Sequence, residues 1–244
     1  MAGYVVRKAH SEVKDILIAD LALTVGFAIL LGSGAAGTHS CKAFSGVLGQ
    51  LCSNQFIFYL PIAFVAVSLT FILHEYMHKL TAQRFGAIAG FVRSDIGIVI
   101  TLVSSLLGFL MGLPGATMIY SSSFTRKQEG ITSLAGPLVN LAVFALFFAL
   151  YFLHPEAGYL GLAISTVMFI ALWLAFVNML PISPLDGSKV LRWNPAIYLL
   201  TLACVVVLLL FITNFSISLL YSVGFVLVLS LILSVFARGI LFRQ

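Results

Sequence analysis

The stretch DIGIVITLVSSLLGFLMG, residues 95–112, decides how this chain is threaded. It is apolar enough to count as a membrane crossing. Six other segments qualify as well, at about 16–31, 56–80, 131–153, 159–180, 196–212 and 215–236. The basic residues choose between seven crossings and six. If the segment at 96–113 dips into the membrane and returns on the same side, Arg7, Lys8, Lys14, Lys79, Arg84, Arg93, Arg126, Lys127, Lys189, Arg192, Arg238 and Arg243 all face the cytoplasm, and only Lys42 lies outside. A full crossing would move the last six of those residues to the exterior. The positive-inside bias therefore selects a re-entrant segment and six transmembrane helices, with both termini cytoplasmic. Its alternating β-branched start, Ser104-Ser105 midway and glycine-rich end read as a hairpin or β-like loop sunk in the membrane. Backbone of that kind survives at membrane depth only against protein or a water-filled cavity.

Composition agrees with an all-α polytopic membrane protein. Of 244 residues, 61% are hydrophobic and 9% charged, where a soluble domain carries about a quarter charged residues. The mean hydropathy is +1.13. So little chain remains outside the apolar runs that residues 1–244 read as a single membrane domain. The opening MAGYVVRKAHSEVKD is charged and lacks a small-residue cleavage site, so it reads as a retained first helix. The net charge of +5 is spread singly or in pairs between apolar runs, which excludes a dense nucleic-acid patch and leaves the lipid bilayer as the surrounding partner. Cys41 and Cys52 share the polar loop 32–55 and would pair if that loop met an oxidising compartment.

Chemistry concentrates in HEYMHKL, residues 74–80. His74 and His78 are four apart, so on a helix both imidazoles share a face and can grip one metal ion, with Glu75 beside them. In this HExxH pattern the histidines hold zinc while the glutamate takes a proton from a water that the metal polarises. The bland alternative is a pair of interface histidines with Glu75 bridged to Lys79. Ionisable groups at membrane depth cost at least ~2.5 kcal/mol each on insertion scales, which argues for a functional partner.

A catalytic zinc takes three protein ligands, so one must come from elsewhere in the chain. Glu12, Asp15, Asp20, Asp95, Glu129 and Glu156 lie at or near segment ends. Asp186 differs, because it follows NMLPISPL, where Asn178, Pro181 and Pro184 break a helix at the depth that the threading assigns to His78. Taken alone, PLDG is also ordinary turn chemistry.

Three motifs together resemble the site-2 proteases, intramembrane zinc metalloproteases: HEYMHKLTAQRFG at 74–86, SLAGPLVN at 133–140 and NMLPISPLDG at 178–187. Two positions depart from the family's usual pattern, Lys79 after the second histidine and Ser188 after the Asp-Gly pair. The resemblance implies a three-helix catalytic core within about 56–192, accessory spans at about 16–31 and 196–236, and one Zn2+ per chain held by His74, His78 and Asp186. It also implies Glu75 as general base and a membrane-anchored protein as substrate, cleaved within or next to its transmembrane helix.

Hydrolysis requires a polar cavity opening to the cytoplasm, and an unwound substrate, since an intact helix hides its carbonyls. A strand edge within about 96–119 is expected to hold that substrate by β-strand addition. Asn178 is expected to hydrogen-bond its backbone or the developing oxyanion. Asn140 could do similar work, or could satisfy backbone groups freed by Pro137. Diiron membrane enzymes need about eight histidines where this chain has five, and Glu129 and Glu156 lack the helical partner motif of the other HExxH enzymes, which take a downstream glutamate on a helix as third ligand. A metal transporter using the same three ligands as a transit site is the alternative outside enzymology.

Overall fold

The computed structural model describes residues 2–35, 54–112, 114–121, 123–153 and 158–214, with 223, 224 and 228 besides; within the first helix, side chains are described for residues 11–32. The chain is mostly helical. In order come α1 (Ala2–Ala35), α2 (Asn54–Arg84), β1 (Ile88–Arg93), α3 (Asp95–Leu106), β2 (Gly115–Tyr120), α4 (Arg126–Leu153), α5 (Tyr159–Asn178), α6 (Asp186–Trp193) and α7 (Pro195–Ile212). Among the described residues, five helices are long and apolar enough to cross a membrane: α1, α2, α4, α5 and α7. Their outward faces carry large apolar side chains, such as Ile57, Phe152, Leu153 and Leu200. An aqueous protein rarely exposes such a surface, and a bilayer covers it. Apart from residues 223, 224 and 228, the expected sixth span at 215–236 lies outside the described residues, as do Cys41 and Cys52.

The centre is α5. Its sequence is apolar on every side, as a helix surrounded by others must be, and Ile170 through Val177 are almost wholly enclosed. Helices α2 and α4 pack on it and on each other, α1 lies along α2, and α7 closes the far side of α5. Asn194 caps α7, its side-chain oxygen accepting from the Ala196 and Ile197 N–H groups, with Pro195 at the first helical position.

The segment at 95–112 differs from the expected hairpin. Residues 95–106 are helical, and the strands lie just outside, at 88–93 and 115–120. Local start signals outweigh the β-branched residues here: Ser94 Oγ accepts from Gly97 N–H at 3.0 Å, and Asp95 sits in the first turn. At 12 residues α3 is about 18 Å long, short of the roughly 30 Å hydrocarbon core. The return strip beyond it is satisfied by protein. Ser104 Oγ accepts from Met111 N–H at 3.0 Å, and the Trp173 indole of α5 donates to Leu110 O at 3.0 Å.

The strands pair antiparallel, with Phe91 opposite Thr117. Phe91 N–H does not enter the ladder; it donates outward to Glu12 Oε1 of α1 at 3.1 Å. Lys79 Nζ donates to the same carboxylate at 2.8 and 2.9 Å. Phe91 and Thr117 are thus a non-hydrogen-bonded pair, so the backbone groups of Gly115, Thr117 and Ile119 face away from β1. The outer edge of β1 meets Glu12 of α1, and among the described residues no backbone group pairs with the outer edge of β2.

Candidate metal centre

The centre is assembled from α2, α4 and the junction of α5 with α6. The four-residue spacing brings the His74 and His78 rings together at 4.6 Å between centroids, nearly perpendicular. Both rings are buried, as is Asp186. That aspartate is the first residue of α6, and the seating of α6 aims it. A side chain on Gly187 would run into the Met179 carbonyl, so glycine lets α6 begin directly against the end of α5.

Asp186 Oδ2 lies 3.3 Å from His74 Nε2 and 3.0 Å from His78 Nε2. Two atoms bound tetrahedrally to one zinc at 2.0–2.1 Å stand about 3.3 Å apart. The separations match, and the three donor groups lie within 4.8 Å of one another. The donor set of two imidazoles and one carboxylate anion suits zinc.

The outer contacts come from one face of α4. Thr132 O accepts from His78 Nδ1 at 2.7 Å, which leaves the Nε2 lone pair directed at Asp186 and the metal position. Asn140 Nδ2 stands 3.3 Å from His74 Nδ1. Between these two residues is Gly136, where a Cβ would meet His78 Nε2 at 2.5 Å and His74 Nε2 at 2.6 Å. The absent side chain leaves the space beside the ligand atoms.

Glu75, 8% exposed, points into the same cavity as the histidines and Asp186. The Thr117 hydroxyl of β2 donates to Glu75 Oε2 at 2.7 Å. Lys79 serves Glu12 instead, so the Glu75–Lys79 bridge of the bland reading is not formed. The cavity has about 50 Å³ for the centres of water-sized molecules, where one water needs about 10–15 Å³. Its lining includes Gly115, Thr117 and Ile119 from the open edge of β2, and Asn178. The Asn178 amide donates to Leu174 O of its own helix at 3.0 Å.

Residue by residue, the structure therefore gathers His74, Glu75, His78, Asp186 and Asn178 around one cavity. It puts Asn140 behind His74, on the side away from the cavity. Asp15 pairs with Arg93, and Glu129 with Arg192. Thr117 and the Thr132 carbonyl carried no sequence signal, because each contact joins residues more than 40 apart. Gly136 and Asn140 lie in SLAGPLVN, one of the three motifs that carry the family resemblance, and the spacing 132–136–140 puts them on one helical face with Thr132.

Known proteins similar to this chain share one description. MJ0611 of Methanocaldococcus jannaschii is 38% identical over 138 residues, 56% of this chain and 72% of that protein. Rip2 of Mycobacterium tuberculosis is 34% identical over 178 residues, 67% of each. YwhC of Bacillus subtilis is 24% identical over 163 residues. All three bear the name "Putative zinc metalloprotease". This chain belongs to the site-2 protease family. No sequence profile of a family matches it, and no solved structure does. Membership agrees with the donor set and with the apolar helices that carry it.

Proposed function

We propose that this site-2 protease family member is an intramembrane zinc metalloendopeptidase. It cleaves a peptide bond within or next to the transmembrane helix of a membrane-anchored protein, with His74, His78 and Asp186 as ligands and Glu75 as general base. One observation carries the reading: a carboxylate from residue 186 lies 3.0 and 3.3 Å from two imidazoles more than a hundred residues earlier, deep in an apolar bundle. Depth follows from helix geometry. His74 is ten residues before Arg84 on α2, and Gly136 ten residues after Arg126 on α4, so both helices place the site about 15 Å from their basic ends. With those ends cytoplasmic, the centre lies below that membrane surface.

Bound zinc would supply Lewis acidity to water and to the scissile carbonyl. The protein does the rest. Glu75 accepts the water's proton and can pass it to the leaving amine. Thr117 holds the Glu75 carboxylate in one orientation through its hydroxyl. The open edge of β2 at Gly115, Thr117 and Ile119 offers backbone donors and acceptors to an unwound substrate strand. Asn178 lines the cavity at the bend before Asp186, where its amide can meet the substrate backbone or the developing oxyanion. The cavity has room for a few waters and not for a peptide, so entry requires helices to part. The six-span threading, with α3 as the element that enters and returns, completes the proposal; the short length of α3 and its protein-satisfied return strip support it.

The test uses the purified zinc-loaded protein in detergent with a single-span substrate. The expected result is cleavage by wild type and none by Glu75→Gln, with zinc content equal in both. Metal flux across vesicles, with no cleavage in either form, would replace the protease reading with the transporter.

A further inference from the structure

The outer contact of His74 is chemically unlike that of His78, and a buried orphan atom marks the difference. His78 faces a carbonyl, which can only accept. His74 faces an amide, with Nδ2 turned toward Nδ1 at 3.3 Å. Asn140 is fully buried, and its Oδ1 has no hydrogen-bond partner. An amide donating to Nδ1 requires the His74 proton to be on Nε2, where it faces Asp186 Oδ2 at 3.3 Å. That arrangement is consistent without a metal and incompatible with one, because Nε2 must offer its lone pair to bind.

The displaced proton can go to Nδ1 only if an acceptor waits there. A half-turn of the Asn140 amide about Cβ–Cγ exchanges two groups of similar size and brings the orphaned Oδ1 to face Nδ1. We propose that Asn140 is a positioning residue with two settings: Nδ2 toward His74 in the metal-free protein, and Oδ1 toward His74 in the metal-bound one, fixing the tautomer that presents Nε2. The inference rests on the metal reading above. It accounts for an amide, which carries both a donor and an acceptor, at a fully buried position where leucine would fill the same space.

The experiment measures zinc affinity of purified, detergent-solubilised protein by competition with a chromophoric chelator, for wild type, His74→Ala, Asn140→Leu and Asn140→Asp. Asn140→Leu keeps the volume and loses the acceptor, so affinity should fall about 10–100-fold. Asn140→Asp keeps an acceptor and should stay within a few-fold of wild type. Nitrogen-15 spectra of histidine-labelled wild type add a readout that needs no variant: zinc should move the His74 proton from Nε2 to Nδ1. Wild-type affinity in Asn140→Leu, an equal loss in Asn140→Asp, or a zinc-loaded His74 still protonated on Nε2 overturns the proposal. If wild type and His74→Ala bind zinc equally, the metal reading itself fails, an outcome separable from the others.

Discussion

Replacing Gly136 with alanine tests the metal centre where α4 meets the two imidazoles. The new methyl carbon would sit 2.5 Å from His78 Nε2 and 2.6 Å from His74 Nε2, the two atoms that would bind the ion. Ordinary contact needs about 3.5–4.0 Å, so the imidazoles must retreat by about 1 Å. A bound metal tolerates about 0.2 Å. Both histidine bonds are thus lost or badly bent, and zinc affinity should fall by at least about 100-fold, close to 2.7 kcal/mol. The helix itself should not suffer, since alanine is favoured over glycine by about 1 kcal/mol in a helix interior. The assay compares zinc per chain by elemental analysis, chelator competition for affinity, and the helical circular dichroism signal of the metal-free protein. Expected is an intact helical signal with zinc absent. Gly136→Ala protein that binds zinc as tightly as wild type would refute the placement of the ion beside α4.

Other residues give further tests. Glu75→Gln should keep zinc and lose about 10²–10⁴-fold in turnover, the usual share of a general base, measured with a single-span substrate. Thr117→Val should slow turnover about tenfold at unchanged zinc content, and Thr117→Ser should restore it, since the hydroxyl is what reaches Glu75; no difference between the two variants would remove Thr117 from the mechanism. Glu12→Ala removes the acceptor shared by Lys79 and Phe91 N–H, and should cost about 1–3 kcal/mol of stability in denaturant titrations, with proteolytic nicking appearing first near β1.

Much of the candidate site was legible because its signals are local. Two histidines four apart on an apolar run specify a shared helical face, and the helix-breaking prolines before Asp186 mark where a span ends. The segment at 95–112 was harder. Its β-branched residues suggested extended backbone, yet the Ser94 cap and the packing of α3 on α1 make residues 95–106 a helix and move the strands to either side. The surroundings of the centre were nearly silent. Thr117 meeting Glu75, Glu12 meeting Lys79, and Asn140 meeting His74 each join distant positions, and periodicity reports only on near neighbours.

The stopper that Glu12 puts on one margin of the hairpin has a consequence for life in a crowded bilayer. Unpaired strand margins recruit one another, and a ribbon with both sides bare would be a seed for copies of this chain to zip together. With one side occupied by a carboxylate, the margin left bare among the described residues is the one that lines the cavity beside the imidazoles.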